Sequence, residues 1–296
     1  MARSEEMSFF HLSAMAAIWL VTPATMAQSI QPGEQVGDVY EITLEHEESS
    51  QSEADMTHWS SRGRDVIYER IVAIRDDGVV LEYDMPPEIP AEDRARVWQF
   101  PVRVFDPPDG PVQLLNVAEL ETRVAAWLEA SGLTREACDH WYFTWNAFKI
   151  ECDPQSILEG LERFDLRPGP LAEGVPYRDP HALHSAPFSK TDTDPGAIYA
   201  AEMPIDPAVM RLSEAEANAV TTQIMGESPR LEAEREALSD TEYSGTINVT
   251  YETNSEGRVW RRTREMHLVI RKPDGESESR NFHETVERRL VSRNEP

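Results

Sequence analysis

The sequence predicts an α+β fold: a curved antiparallel β-sheet formed by N- and C-terminal strands, with several helices between them. Three observations carry this. The first ordered stretch, Val39 to His46, alternates apolar and polar residues as a half-buried strand does. The last fifty residues read as three β-rich runs separated by turn signals. Between these ends lie capped segments with helical apolar spacing, and strands grouped apart from helices are the pattern of α+β domains.

The chain opens on an apolar run, Phe9 to Val21 (FFHLSAMAAIWLV), followed by Pro23 and Thr25-Met26-Ala27 before Gln28. This is the layout of a secretory signal peptide cleaved after Ala27, which makes residues 1–27 a leader and 28–296 a single α+β domain. A run of thirteen residues is too short to span a ~30 Å hydrocarbon core comfortably, so no membrane span is expected in the mature chain. Glu5 and Glu6 give the leader an acidic start, which points to Met7 as the initiator. A buried N-terminal helix of a cytosolic protein and an uncleaved anchor are the alternatives. The expected location is periplasmic or secreted.

Composition narrows the partners. A formal net charge of −26 over 296 residues makes an acidic protein that repels nucleic acid and anionic membrane surfaces. The charge is uneven. Glu256 to Pro296 holds ten Lys/Arg and eight Asp/Glu, a net of +2. Those arginines either dock on the acidic remainder or sit on a solvated sheet face with acidic cross-strand partners.

Element by element, Tyr40, Ile42 and Leu44 mark the buried face of the first strand, and the Ser- and Glu-rich stretch Glu47 to Arg62 reads as a loop. Val66 to Tyr83 is a hairpin turning at Asp76-Asp77-Gly78, because glycine tolerates positive φ. Phe100 to Phe105 is a further strand that Pro101 confines to an edge or a strand start. A helix follows, with Asn116 and Glu119 as a capping box, Leu120, Val124, Trp127 and Leu128 as its stripe, and Gly132 as its C-terminal cap.

Cys138 and Cys152 enclose thirteen residues. In an oxidising compartment two cysteines this close are expected to pair. A catalytic Cys138 with His140 as base is the functional alternative. Trp141, Phe143 and Trp145 alternate inside the bracket as in a strand or hairpin. Asp153-Pro154 starts the next helix, which buries Ile157, Leu158, Leu161 and Phe164. Residues 167–196 hold six prolines and read as an irregular excursion. Asp206-Pro207 starts a helix, Ser213 with Glu216 suggests a second capping box, Gly226 ends it, and Ser228-Pro229 opens a short helix to Leu238. The strands around Val39–His46 and Ile247–Glu252 look alike, so a duplicated meander is one possibility, against shared composition of two exposed strands.

Sites are faint. His181 and His184, preceded by Asp179, are the best metal candidates, although Pro180 and Pro187 flank them and polar loop histidines are the plainer reading. Asp192 to Gly196 lacks the ligands of a calcium loop and reads as a turn. Trp141 and Trp145 are candidate walls of an apolar ligand cavity, or core. Nucleophile-elbow, P-loop and dinucleotide-binding motifs are absent, no catalytic residue stands out, and no cofactor is expected.

The element order resembles periplasmic carriers whose curved sheet wraps central helices around a lipid, a likeness of pattern that transfers no residues. The expected function is a non-enzymatic envelope or secreted protein that binds a hydrophobic small molecule or an envelope protein through its sheet. The alternative is a periplasmic hydrolase using carboxylates or a His181/His184 metal site. A third is a structural partner whose basic C-terminal meander meets an acidic protein.

Overall fold

The computed structural model describes residues 31, 33–52, 58–108, 110–143, 147–225 and 230–293, with only the backbone of 143, 147 and 148. The leader, Met7, Trp145 and Gly226 lie outside these residues. The N-terminal half supplies β1 (Val39–Ser52), β2 (His58–Arg75), β3 (Gly78–Asp84), helix α1 (Ala91–Arg94), β4 (Val102–Asp106), β5 (Gln113–Leu114) and α2 (Val117–Ala130). A 3-10 turn (Arg135–Ala137), the hairpin β6 (Trp141–Phe143) and β7 (Ala147–Lys149), and α3 (Ser156–Glu162) follow. Then come β8 (Pro176–Tyr177), β9 (Ala186–Pro187), β10 (Ser189–Asp192), β11 (Ala197–Pro204), α4 (Pro207–Ile224) and α5 (Leu231–Ala237). β12 (Glu242–Thr253), β13 (Val259–Arg271) and β14 (Ser277–Ser292) close the chain.

Ten of these strands form one open antiparallel sheet in the order β10-β11-β12-β13-β14-β1-β2-β3-β4-β5. Two meanders therefore lie side by side, joined where β14 pairs β1, with Ile42 opposite Arg288 and Leu44 opposite Val286. This is the predicted α+β architecture. Bulges at Val39/Tyr40, Ile71/Ala73 and Glu252/Thr253 suit a curved sheet, because each bends and twists its strand. One hydrophobic core lines the covered face, from Tyr40, Ile42 and Leu44 through Leu81 and Val104 to Ile247 and Leu268.

Several expectations change in the structure. The described residues of the stretch Glu47 to Arg62 are strand rather than loop. β1 runs on to Ser52 and β2 begins at His58, with β1 paired to β14 as far as Ser52–Glu278. Its composition is polar because the strand there has passed beyond the core. The excursion 167–196 is also less irregular than its prolines suggest. β10 is an edge strand of the main sheet, and Tyr177 and Phe188 pack with Tyr199 and Tyr251, the nearest rings 5.1 Å apart. β11 had no signal strong enough to be expected. Ser213 caps nothing, since α4 is continuous from Pro207, where the Asp206 carboxylate accepts from the Ala208 amide at 2.8 Å.

Other local chemistry follows the sequence closely. Gly78, at φ +149°, follows the Asp76-Asp77 turn, and a Cβ there would meet the Asp106 carbonyl of β4. Gly132, at φ +66°, ends α2 with Leu133 bonded back to Leu128 and Gly132 to Glu129, a Schellman pair. Asn116 sits at the N-cap position without capping. Its side chain accepts from the Arg103 amide and donates to the Pro101 carbonyl, clipping α2 to β4.

Cys138 and Cys152 form a disulfide, which removes Cys138 as a nucleophile. The bond closes the base of the β6–β7 hairpin, where Asp139 and Ile150 are also paired through the backbone, and it fixes the start of the chain into α3. Among the described residues no helix is long and apolar enough to cross a membrane. Replacing both cysteines by serine should lower unfolding free energy by about 3 kcal/mol, the loop-closure term for a ring of this size. Urea denaturation of the variant and of the oxidised protein checks this, and equal midpoints would refute it.

Candidate functional site

The covered face carries a charge where periodicity calls for an apolar side chain. Glu69 lies between Ile67 and Ile71 on the buried side of β2, and it is 1% exposed. Arg167, just beyond α3, grips its carboxylate with both terminal nitrogens at 3.2 Å. Arg288 of β14 binds the same carboxylate through Nε at 3.2 Å and through Nη2, which also lies 2.7 Å from Glu34. The Tyr83 hydroxyl donates to Glu69 at 2.9 Å. Arg288 also lies 3.5 Å above the Tyr40 ring, a cation–π contact within a desolvated site. Burial pushes the Tyr40 phenol up to about 12.

Burial, the largest single influence on Glu69, pushes its carboxyl up. The two guanidiniums outweigh it and hold the group down at about 2.

A cavity of about 190 Å³ opens beside this cluster, between α3 and strands β3 and β4. Leu81, Val104, Pro111, Val112, Leu158 and Leu161 form its walls. Tyr83, Asp106, Asp165 and Arg167 form its polar end, with Glu162 alongside. The Asp106 side chain is 17% exposed, and its carboxylate is 3.6 Å from the Arg167 Nε. Burial raises it to about 6. Arg167 opposes that shift, while Asp165, Glu69 and Glu34 add to it. Asp165 is pushed up as well, by burial first, yet its surface is exposed, so water screens it and Asp106 is the group that matters.

The segment from α3 to Arg167 is strapped down on the sheet. Asp153 turns the chain into it by accepting from the Gln155 amide at 2.9 Å. Ile157 is buried, with Leu158, Leu161 and Phe164 packed on the core. At the far end Arg262 of β13 donates to the carbonyls of Arg163 (2.9 Å) and Asp165 (3.0 Å), while pairing with Glu284 at 2.8 Å. On the other side of α3 an open groove of about 610 Å³ runs past Ile67, Met85, Phe100 and Phe164.

The sequence-derived candidates lie elsewhere. Trp141 is on β6, in a two-stranded ladder apart from the main sheet, and neither cavity beside α3 includes it. Its companion Trp145 is outside the described residues. His181 Nδ1 is 3.5 Å from the Asp179 carboxylate, which Arg264 already binds at 2.7 and 3.1 Å. His184 is exposed. Among the described residues no three His, Cys, Asp or Glu are grouped to hold a metal. Glu69 and Arg288 escaped notice, although each is a charge at a buried-parity position, in VIYERIV and TVERRL. That parity was the available signal.

No family model matches the chain, and no curated protein matches it. Among solved structures, a conserved protein of unknown function with a hot dog fold from Alicyclobacillus acidocaldarius is 10% identical, over 89% of this chain and 83% of that one. The TM-score is 0.12, so the two backbones do not superpose and the likeness carries no argument.

Two opposed pH dependences follow from the cluster. Glu69, depressed in the folded state, contributes stability above its ordinary value of 4.5 that is lost as pH falls towards about 2. Asp106, raised from 3.8 to about 6, is the reverse, and stability falls as pH rises through that window. Asp106→Asn should therefore stabilise the protein by about 2 kcal/mol near neutral pH and by little near pH 4. Glu69→Ala should cost about 3–5 kcal/mol by removing the buried carboxylate on which two guanidiniums converge. Denaturant titrations across pH check both, and a pH-independent Asp106→Asn effect would contradict the first.

Proposed function

We propose that this is a non-enzymatic periplasmic or secreted protein that binds a small hydrophobic ligand in the cavity between α3 and β3–β4. The observation that carries the proposal is the cavity itself, with apolar walls on three elements and a few convergent polar groups at one end. That is the usual form of a small-molecule site. At about 190 Å³ it suits a short ligand or the end of a longer chain. The disulfide and the leader-like N-terminus support the location.

This reading shifts the binding surface. The free face of β1, β2 and β14 presents Glu41, Glu45, Arg64, Glu287 and Arg289, which suits water rather than an apolar molecule. An apolar ligand is better served on the covered side, under α3. The rival reading, a carboxylate hydrolase, rests on Asp106 and Asp165 in the same cavity, and it requires turnover that Asp106→Asn abolishes.

Two measurements test the proposal. Solvent extraction and mass spectrometry of protein purified from its native envelope should release a stoichiometric apolar compound. Straight-chain alcohols of increasing length should raise the melting temperature of the emptied protein by mass action. Val112→Trp, which places an indole at a partly exposed wall position, should remove that shift without unfolding the chain. An empty extract together with no thermal response to any alcohol would sink it.

A further inference from the structure

We infer that the cavity's ligand carries a positively charged head, as a primary alkylamine does, seated on Asp106 and Asp165 with its chain along the Leu81, Val104, Leu158 and Leu161 walls. The inference rests on the binding reading above and names the ligand's chemical class.

The charge count around the polar end carries it. Glu34, Glu69, Asp106 and Asp165 bring four carboxylates to two guanidiniums, Arg167 and Arg288. Both guanidiniums are committed to Glu69, on which they converge. Arg262, the next cation, is neutralised by Glu284 and spends its remaining donors on backbone carbonyls. Among the described lining residues Arg167 is the one Lys or Arg, and Glu162 adds a further negative charge. An anionic head entering the cavity would face three carboxyls and an arginine already engaged by Glu69. A neutral head would leave the excess charge uncompensated. An ammonium offers three donors and no acceptor, the complement of the largely buried Asp106 carboxylate with Asp165 on the cavity's exposed side.

Asp106 is the more buried of the pair, and among the described residues the cation beside it is Arg167, whose Nε is 3.6 Å away. Its surroundings already favour taking up a positive charge. The groups that set its behaviour are Arg167, Asp165, Glu69 and Glu34, and because it is raised only to about 6 it is ionised near pH 7.5, where an alkylammonium would meet a carboxylate.

The test is calorimetry on the emptied full chain with octylamine, 1-octanol and octanoate near pH 7.5. Octylamine should bind at least about tenfold more tightly than octanol, and octanoate should be weakest. In Asp106→Asn the amine–alcohol ratio should shrink to within about threefold. In the unmutated protein the same ratio should fall as pH drops to 5, because octylamine stays charged while Asp106 gains a proton. Octanoate matching octylamine, or octylamine matching octanol while both bind, would overturn the cationic head and leave the cavity reading standing. No binding of any of the three would overturn both.

Discussion

Burying one carboxylate between two guanidiniums is the constraint that the rest of the molecule has to satisfy. Glu69 belongs to the N-terminal meander, Arg288 to the C-terminal one, and Arg167 to the strap that follows α3. Removing these charges from water costs several kcal/mol per ion, and only close, multiply bonded geometry recovers it. Glu69 obtains that geometry from two arginines and the Tyr83 hydroxyl. The cluster also fixes register. Arg288 pairs with Ile42 across β1–β14, and β1 pairs with β2 beside Glu69. Slipping β14 on β1 by one residue would turn Arg288 to the free face, and slipping β2 on β1 would turn Glu69 there, so either slip would separate the pair.

The same device recurs along the middle of the sheet. The C-terminal meander carries the chain's concentration of arginines, and on its covered face three of them dock different covering segments. Arg262 holds the end of the strap, Arg264 holds Asp179 of the proline-rich excursion, and Arg280 holds Glu214 of α4 at 2.8 Å. Others stay within the sheet, as Arg261 does with Glu252 and Glu287. Both roles weighed for these arginines are therefore present, docking on one face and cross-strand pairing on the other.

What could be read from the sequence divides along physical lines. Tyr40, Ile42 and Leu44, the Asp-Asp-Gly turn, the Asp206 cap and the Cys138–Cys152 pair are local signals, and each is where its chemistry places it. The polar ribbons of β1 and β2 carry no apolar alternation, because the side chains beyond Leu44 and before Val66 are mostly Ser, Glu, Arg and other polar groups. β10 and β11 were missed because their ordering comes from distant partners, Tyr251 among them. The ion cluster is illegible for the same reason. Glu69, Arg167 and Arg288 are far apart in the chain, and nothing local pairs them. Only their buried parity within apolar strands hints that each must find an opposite charge. Trp141 is aromatic and on a strand, but that strand belongs to a two-stranded ladder outside the main sheet, a placement its local pattern does not reveal.

The cavity is best understood as a consequence of how α3 is held. Protein interiors normally close over a void, because lining atoms gain contacts by moving in. α3 is only seven residues long and packs on the core through Ile157, Leu158 and Leu161, so little of its own bulk fills the space beneath. Its approach is fixed by the disulfide at Cys152, and its exit by Arg262 on the Arg163 and Asp165 carbonyls and by Arg167 on Glu69. A short element pinned at both ends cannot slide inward without breaking buried charge-assisted bonds, which cost more than the contacts it would gain. The space between α3 and β3–β4 is thus held open by electrostatics rather than left by poor packing. A pocket kept open in that way is organised before any ligand arrives, so a molecule that fits it spends little of its binding energy on reordering the protein.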